Sequence, residues 1–305
     1  MRDLVVLGTS SQVPTRHRNH NGYLLRWDGE GVLFDPGEGT QRQMTYAGVS
    51  AASITRICIT HLHGDHCLGL PGVLQRFALD GVRRPVDVYF PAAGLEFVER
   101  LRHASLFDDT SLDVRLHPIE RGVDGPIAEC EQFTLHAVHL DHGPDTIGYR
   151  VEEPDGRRMD RAALDARGIS GAAVARLRAQ GQLVLDNGDV VHVDDVSEPR
   201  PGQVFSFVMD TRVCEAAHRL AAGADLLVAE ATFADADAGL AQDYGHLTAR
   251  QAGEIAQRAG VRCLVLTHFS QRYRDIEPLL AEAREVFPDV VAANDLDRIE
   301  LPKRR

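Results

Sequence analysis

Four side chains with metal-binding chemistry crowd into six positions of the stretch ITHLHGDHCLGL: His61, His63, Asp65 and His66. Imidazole and carboxylate together suit Zn²⁺, with Mn²⁺ or Fe as lesser alternatives. A lone histidine among the 14 in this chain is most often a structural or surface residue, but HxHxDH directly after an apolar run is a specific pattern. Three further candidates lie downstream: His142, Asp210 and His268. Seven donors are too many for one tetrahedral ion, and two ions sharing a carboxylate would use them all. Asp210 is the natural bridge, and Asp65 can bind one ion and orient a water. Two-metal sites hold their cations ~3.5–4 Å apart and suit hydrolysis at a phosphorus or carbonyl centre.

Such donors must be delivered to one point by the chain around them. His61 is the first residue beyond the strand-like run ITRICIT (54–60), so the motif sits on a loop, before a helix beginning near LGLPGVLQRF. A loop can turn adjacent side chains toward one point, as a straight strand cannot. Three other apolar runs end alike: FTLHAVHL (133–140) leads to His142, VFSFVM (204–209) to Asp210, and RCLVLT (262–267) to His268. Four strands delivering metal-type residues at their C-terminal ends could meet along one sheet edge.

Short apolar runs alternate with helix-like segments through most of the chain, which predicts an α/β fold. Further strands are expected at 4–8, 22–27, 31–35, 86–90, 146–151 and 225–231. The clearest helix is 248–259, where Thr248 and Gln251 form a capping-box pattern and Gly260 can end it. Another is expected at 212–222. Residues 152–203 are the least regular part, rich in Gly, Asp, Arg and Pro. They contain a candidate helix (172–180) and a hairpin pattern, LVLDNGDVVHV, with Asn187-Gly188 at the turn. This segment reads as a protrusion inserted in a single domain spanning 1–305.

The 305 residues carry a net charge of −12, which argues against a protein coated all over with nucleic acid. Local basic surfaces remain: RHRNH at 16–20, and 150–178, where seven arginines face five acids. A solvated face is the plain alternative for such runs. The five cysteines form no CxxC pair and read as free thiols; Cys67, beside His66, is taken as a packing residue. The opening MRDLVVLGTS has only a four-residue apolar stretch before Gly8, a strand rather than a signal peptide or membrane span, so the chain is expected to be cytoplasmic.

HLHGDH resembles the HxHxDH motif of the metallo-β-lactamase superfamily. The likeness extends to the ribonuclease Z family, endonucleases that trim the 3′ trailer of precursor tRNA. LGTSSQVPTRHRN resembles that family's opening strand and PxKxRN-type loop, FDPGEGTQRQ its second motif, and HGPDTIGYR, MDTR, EATF and LTHFSQRY its later blocks. The resemblance covers essentially the whole chain. It implies a four-layer αβ/βα sandwich with a protruding arm at 152–203 that grips tRNA. It implies two Zn²⁺ per subunit, one on His61, His63 and His142, the other on Asp65, His66 and His268, bridged by Asp210. Asp65 would accept the proton of the attacking water, and the Glu230–His246 pair would serve the leaving oxygen. Arg16, Arg18 and Asn19 would contact the RNA, and a homodimer is implied. The chain departs from the family's pattern at three points: Ala229 stands where HEAT begins with histidine, HST reads His246-Leu247-Thr248, and Met209 replaces a glycine. The expected products are tRNA with a 3′-OH and a trailer with a 5′-phosphate. Two other readings are a small-molecule phosphodiesterase or related hydrolase of the same superfamily, and a non-catalytic RNA-binding scaffold.

Overall fold

A computed structural model of the protein describes residues 2–304. Two compact units are present: one runs up to Glu152 and resumes at Val204–Pro302, and the other is Glu153–Gln203 with the chain from Lys303 onward.

The first six strands are β1 (Arg2–Gly8), β2 (Gly22–Trp27), β3 (Glu30–Phe34), β4 (Arg56–Cys58), β5 (Val86–Pro91) and β6 (Val114–Ile119). Then come β7 (Asp124–Glu129), β8 (Thr134–His139) and β9 (Ile147–Glu152). β10 (Gly156–Met159), β11 (Gln182–Val184), β12 (Val190–His192) and β13 (Ser197–Arg200) lie in the smaller unit. β14 (Val204–Val208), β15 (Leu226–Glu230), β16 (Leu264–Thr267), β17 (Val290–Ala292) and β18 (Arg298–Glu300) complete the larger one. It holds two seven-stranded sheets, ordered β18-β1-β2-β3-β4-β5-β6 and β17-β16-β15-β14-β9-β8-β7.

The apolar runs are unbroken because both faces of each sheet are covered. In β1, Leu4 and Val6 pack between the sheets, whereas Val5 and Leu7 meet the helices outside. In β14, Phe205 and Phe207 face inward and Val204 and Val208 outward. The inter-sheet core is aromatic, with Phe34 stacked on Phe207 at 4.7 Å between centroids. Helices Thr40–Ala47 and Leu70–Leu79 cover one sheet, and Glu215–Ala221, Ala249–Ala259 and Glu277–Val286 cover the other. Helix, sheet, sheet and helix make the expected αβ/βα sandwich.

Strand direction matters for the site. β3 to β6 are mutually parallel, as are β14 to β17. β9 is antiparallel to both β8 and β14, so β8 runs with β14. The expected helix at 248–259 forms over Ala249–Ala259 with a complete capping box: Thr248 Oγ1 accepts from the Gln251 amide and Gln251 Oε1 from the Thr248 amide.

The structure differs from the sequence reading at several points, among them the edge strands β17 and β18, which were not expected. β6 and β7 were not expected; both are sheet edges, where Pro118 and Pro126 are tolerated and the pattern is polar. β4 is shorter than ITRICIT, because the Thr60 amide turns away to the Asp35 carboxylate. The helix expected from 212 begins at Glu215, since Thr211 and Arg212 hydrogen-bond to Asp141 and Glu230 in the loop.

The smaller unit has its own core of Leu164, Ile169, Leu177, Val191 and Val196. The Asn187-Gly188 pair lies in the β11–β12 turn, closed by Gly188 N donating to Leu185 O, with Gly188 at φ 88°. Of the seven arginines at 150–178, Arg150 belongs to β9, and Arg157 and Arg158 pair with Asp194 and Glu198. Arg176 and Arg178, on the helix Ala172–Gln180, are exposed and in no ion pair among the described residues. Nor is any helix of the described residues long and apolar enough to cross a membrane.

Candidate metal centre

The parallel strands bring their C-terminal ends to one edge of the larger unit, and the seven candidate donors gather there. His61, His63, His142 and Asp210 form one group whose ligand atoms lie within 4.8 Å of one another; Asp65, His66 and His268 form a second. Asp210 touches both: its Oδ2 is 3.5 Å from His61 Nε2 and 3.4 Å from His66 Nε2, and its Oδ1 is 3.2 Å from His268 Nε2. Asp65 Oδ2 stands 3.2 Å from His66 Nε2 and 3.4 Å from His268 Nε2.

Four of the five histidines are held by Nδ1, which fixes the ring and leaves Nε2 for the centre. His66 Nδ1 donates to Asp35 Oδ2 at 2.8 Å, and His142 Nδ1 to the Gly245 carbonyl at 2.8 Å. The other two use threonine. Thr60 Oγ1 gives its only proton to Asp35 Oδ2, so it accepts from His61 Nδ1 at 3.1 Å. Thr232 Oγ1 likewise donates to Glu230 and accepts from His268 Nδ1 at 2.7 Å. His63, the exposed member, instead presents Nδ1, 2.9 Å from His61 Nε2.

This arrangement fits divalent cations. Buried polar atoms are almost always hydrogen-bonded, yet His142 Nε2, His268 Nε2 and Asp210 Oδ1 have no such partner and all point into the cluster. Burial, and then the neighbouring histidines, hold His61 below its ordinary pKa, and burial does the same to His63 and His142. Neutral imidazole is the form that binds metal. His66 is pushed the other way: burial disfavours its cation, but Asp65, Asp210 and Asp35 outweigh it. Burial also opposes ionisation of Asp65 and Asp210, yet the surrounding histidines hold both carboxyls well below the usual range.

Backbone strain marks the same edge. Asp35, Asp210 and His268 all lie at positive φ (45°, 39° and 59°) immediately or shortly after β3, β14 and β16. A non-glycine residue there costs on the order of 1–3 kcal/mol, which the surrounding structure must offset.

Beside the cluster, Glu230 ends β15, fully buried, with Oε2 3.0 Å from His246 Nδ1. Burial opposes the His246 cation, but Glu230 and Asp210 push its pKa up to about 9. The cleft over the cluster is lined by Asp65, His246 and His268 together with Phe233, Tyr244 and Arg272, and measures ≈ 370 Å³.

The structure separates the three residues expected to touch substrate. Arg16 is exposed on a second concavity, with no hydrogen bond or ion pair among the described residues. Arg18 points inward, donating to Thr9, Ala293 and Asn294. Asn19 donates to the carbonyls of His20 and Glu38. Asp35, Thr60, Thr232 and Gly245 were not singled out by the sequence reading. FDPG after an apolar run was the one available signal for Asp35, because it repeats the strand-then-acid pattern of Asp210. Cys67 is buried, its thiol turned to the His63 carbonyl, as expected of a packing residue.

An αβ/βα sandwich carrying HxHxDH and a cluster of imidazoles and carboxylates at one edge defines a metal-dependent hydrolase of metallo-β-lactamase type. A family profile described as "Metallo-beta-lactamase superfamily" matches residues 15–159. A ribonuclease Z of Nocardia farcinica (strain IFM 10152) is 59% identical over 100% of this chain and 99% of its own length, and one of Thermobifida fusca (strain YX) is 57% identical over 100% and 96%. The chain belongs to the ribonuclease Z family. Among solved structures, the short form of human tRNase Z superposes with a TM-score of 0.73 at 27% identity, covering 99% of this chain and 100% of the other.

Proposed function

We propose that this chain is a zinc-dependent endoribonuclease that removes the 3′ trailer from precursor tRNA, leaving a 3′-OH on the tRNA and a 5′-phosphate on the trailer. The observation that carries the reading is the Glu230–His246 pair set beside a two-part donor cluster, in a chain that matches ribonuclease Z relatives from end to end. His61, His63 and His142 would hold one Zn²⁺ and Asp65, His66 and His268 the other, with Asp210 shared between them. Bound there, the two cations would polarise the phosphoryl oxygens and lower the pKa of the attacking water.

The protein side chains do the rest. Asp65, ionised beside His66 and His268, orients the water and accepts its proton. Glu230 occupies Nδ1 of His246 and keeps the ring charged. The Nε2 proton then goes to the 3′ oxygen as the P–O bond breaks. General acid help of this kind contributes roughly 10²–10⁴-fold. Arg16, a few residues after the cleft-lining Ser11–Val13 and unpaired among the described residues, is the candidate phosphate contact from the opening loop, and Arg176 and Arg178 are those of the 153–203 unit. A cytoplasmic homodimer belongs to the same proposal.

Incubation of the zinc-loaded protein with a trailer-bearing precursor tests it. The expected result is one cut past the discriminator base, abolished by a chelator. Intact RNA with zinc bound would overturn the reading.

A further inference from the structure

Arg18 stands in the loop that the family resemblance assigns to RNA, yet its guanidinium is spent within the fold. Nη1 donates to Thr9 Oγ1 at 2.6 Å and to the Ala293 carbonyl at 3.0 Å, and Nη2 to Asn294 Oδ1 at 3.3 Å. Its flat face covers Phe269, with the guanidinium carbon 4.9 Å from the ring centroid.

Thr9 and Ala293 each hold a residue close to His268. The Phe269 amide donates to the Thr9 carbonyl at 2.9 Å, and the Phe269 carbonyl accepts from Ser11 at 3.1 Å. On the other flank, the Ala293 amide donates to the Leu266 carbonyl at 2.9 Å. Thr9 itself is anchored, its hydroxyl donating to Asp295 Oδ1 at 2.8 Å. One side chain therefore ties together the two strips of backbone that grip residues 266 and 269. Between them, His268 sits at φ 59°, a conformation that must be imposed from outside, and its Nε2 faces both Asp65 and Asp210.

We infer that Arg18 is a positioning residue for His268: its forked hydrogen bonds and its stack on Phe269 hold the His268 backbone in the left-handed conformation that aims Nε2 into the metal centre. This rests on the reading of the cluster as a metal centre. Lysine is no substitute, because one ammonium cannot span Thr9 and Ala293 while lying flat on a ring.

The experiment compares Arg18→Met, Arg18→Lys and Arg16→Met with wild type, each measured for Zn²⁺ affinity by chelator competition and for kcat and KM on precursor tRNA. Positioning predicts that Arg18→Met weakens the Zn²⁺ that His268 would hold roughly 10–100-fold, the range for loss of a partner behind a ligand. kcat should fall with KM near wild type, and Arg18→Lys should fail to rescue either. Arg16→Met should show the opposite split, a raised KM and unchanged Zn²⁺ affinity. Phe269→Leu, which removes the ring but keeps the Arg18 hydrogen bonds, is the second variant should Arg18→Met not fold, and it should weaken Zn²⁺ in smaller measure. Wild-type Zn²⁺ affinity in folded Arg18→Met, or in Phe269→Leu where Arg18→Met does not fold, would overturn the inference alone. Wild-type protein that takes up no Zn²⁺ would overturn the metal-centre reading and the inference with it.

Discussion

Gly245 holds His142 from behind: its carbonyl accepts from Nδ1 at 2.8 Å, and its own α-carbon has no room for a side chain, since a Cβ there would lie 2.8 Å from the same nitrogen. The residue also sits at φ 77° and directly precedes His246. One backbone position thus bears on both His142 and His246.

Gly245→Ala should therefore damage both. The strained backbone alone costs on the order of 1–2 kcal/mol, and displacement of His142 adds to it. Zinc content after dialysis against a weak chelator should drop, and the melting temperature of the zinc-loaded protein should fall. A fully loaded, fully active variant would show that His142 tolerates a different support.

The proposed role of the Glu230–His246 pair predicts a pH limit. His246 has its pKa raised to about 9, and a proton donor there would be the charged form, so kcat should hold at lower pH and decline as pH rises through that value. The same sign applies to stability: a group raised above its unfolded pKa of ~6.5 contributes fully below that pH and loses its contribution as pH climbs through the folded value. Glu230→Gln removes the main attraction holding the proton, so the descending limb of the kcat profile should move to lower pH. An unmoved limb would assign it to another group.

Asp35 is fully buried, with Oδ1 accepting from the Thr60 amide and Oδ2 from Thr60 Oγ1 and His66 Nδ1. Asp35→Ala should leave these donors unpaired, and breaking a buried pair of this kind costs ~3–5 kcal/mol. Denaturant titration of the zinc-free variant reads the stability loss, and chelator competition should show weaker zinc as well, because His61 and His66 both lose their support.

Metal uptake should release protons. In the zinc-free protein the three carboxylates Asp65, Asp210 and Asp35 hold His66 above its ordinary pKa against burial, and a ligand imidazole must give that proton up. Titration calorimetry of zinc into the chelator-treated protein at neutral pH, in buffers of different ionisation enthalpy, should give a buffer-dependent heat. Heats that match in every buffer would contradict it.

The layered fold was legible in the sequence because many inner strands are apolar runs covered on both faces, as in LVVL of β1 and VFSFV of β14. The edge strands β6 and β7 were not, because solvent and proline erase the pattern there. His61, His63, Asp65 and His66 could be seen together because they are adjacent in the chain, and His142, Asp210 and His268 because each follows a strand. The residues behind them could not. Thr60, Thr232 and Gly245 are chosen by where one hydroxyl proton or one carbonyl points, and no local spacing records that. Arg18 shows the reverse failure: its place in a basic loop suggested a surface role, and only the folded chain reveals the carbonyl of Ala293, 275 positions away, as its partner.

Glu152 and Val204 face each other as register partners on neighbouring antiparallel strands, so the chain departs and returns across a single rung of the ladder. In topological terms the 51 residues from Glu153 to Gln203 are an overgrown hairpin turn with an apolar centre of their own. Whatever the length or sequence spliced in at that rung, the pairing of β9 with β14 closes behind it.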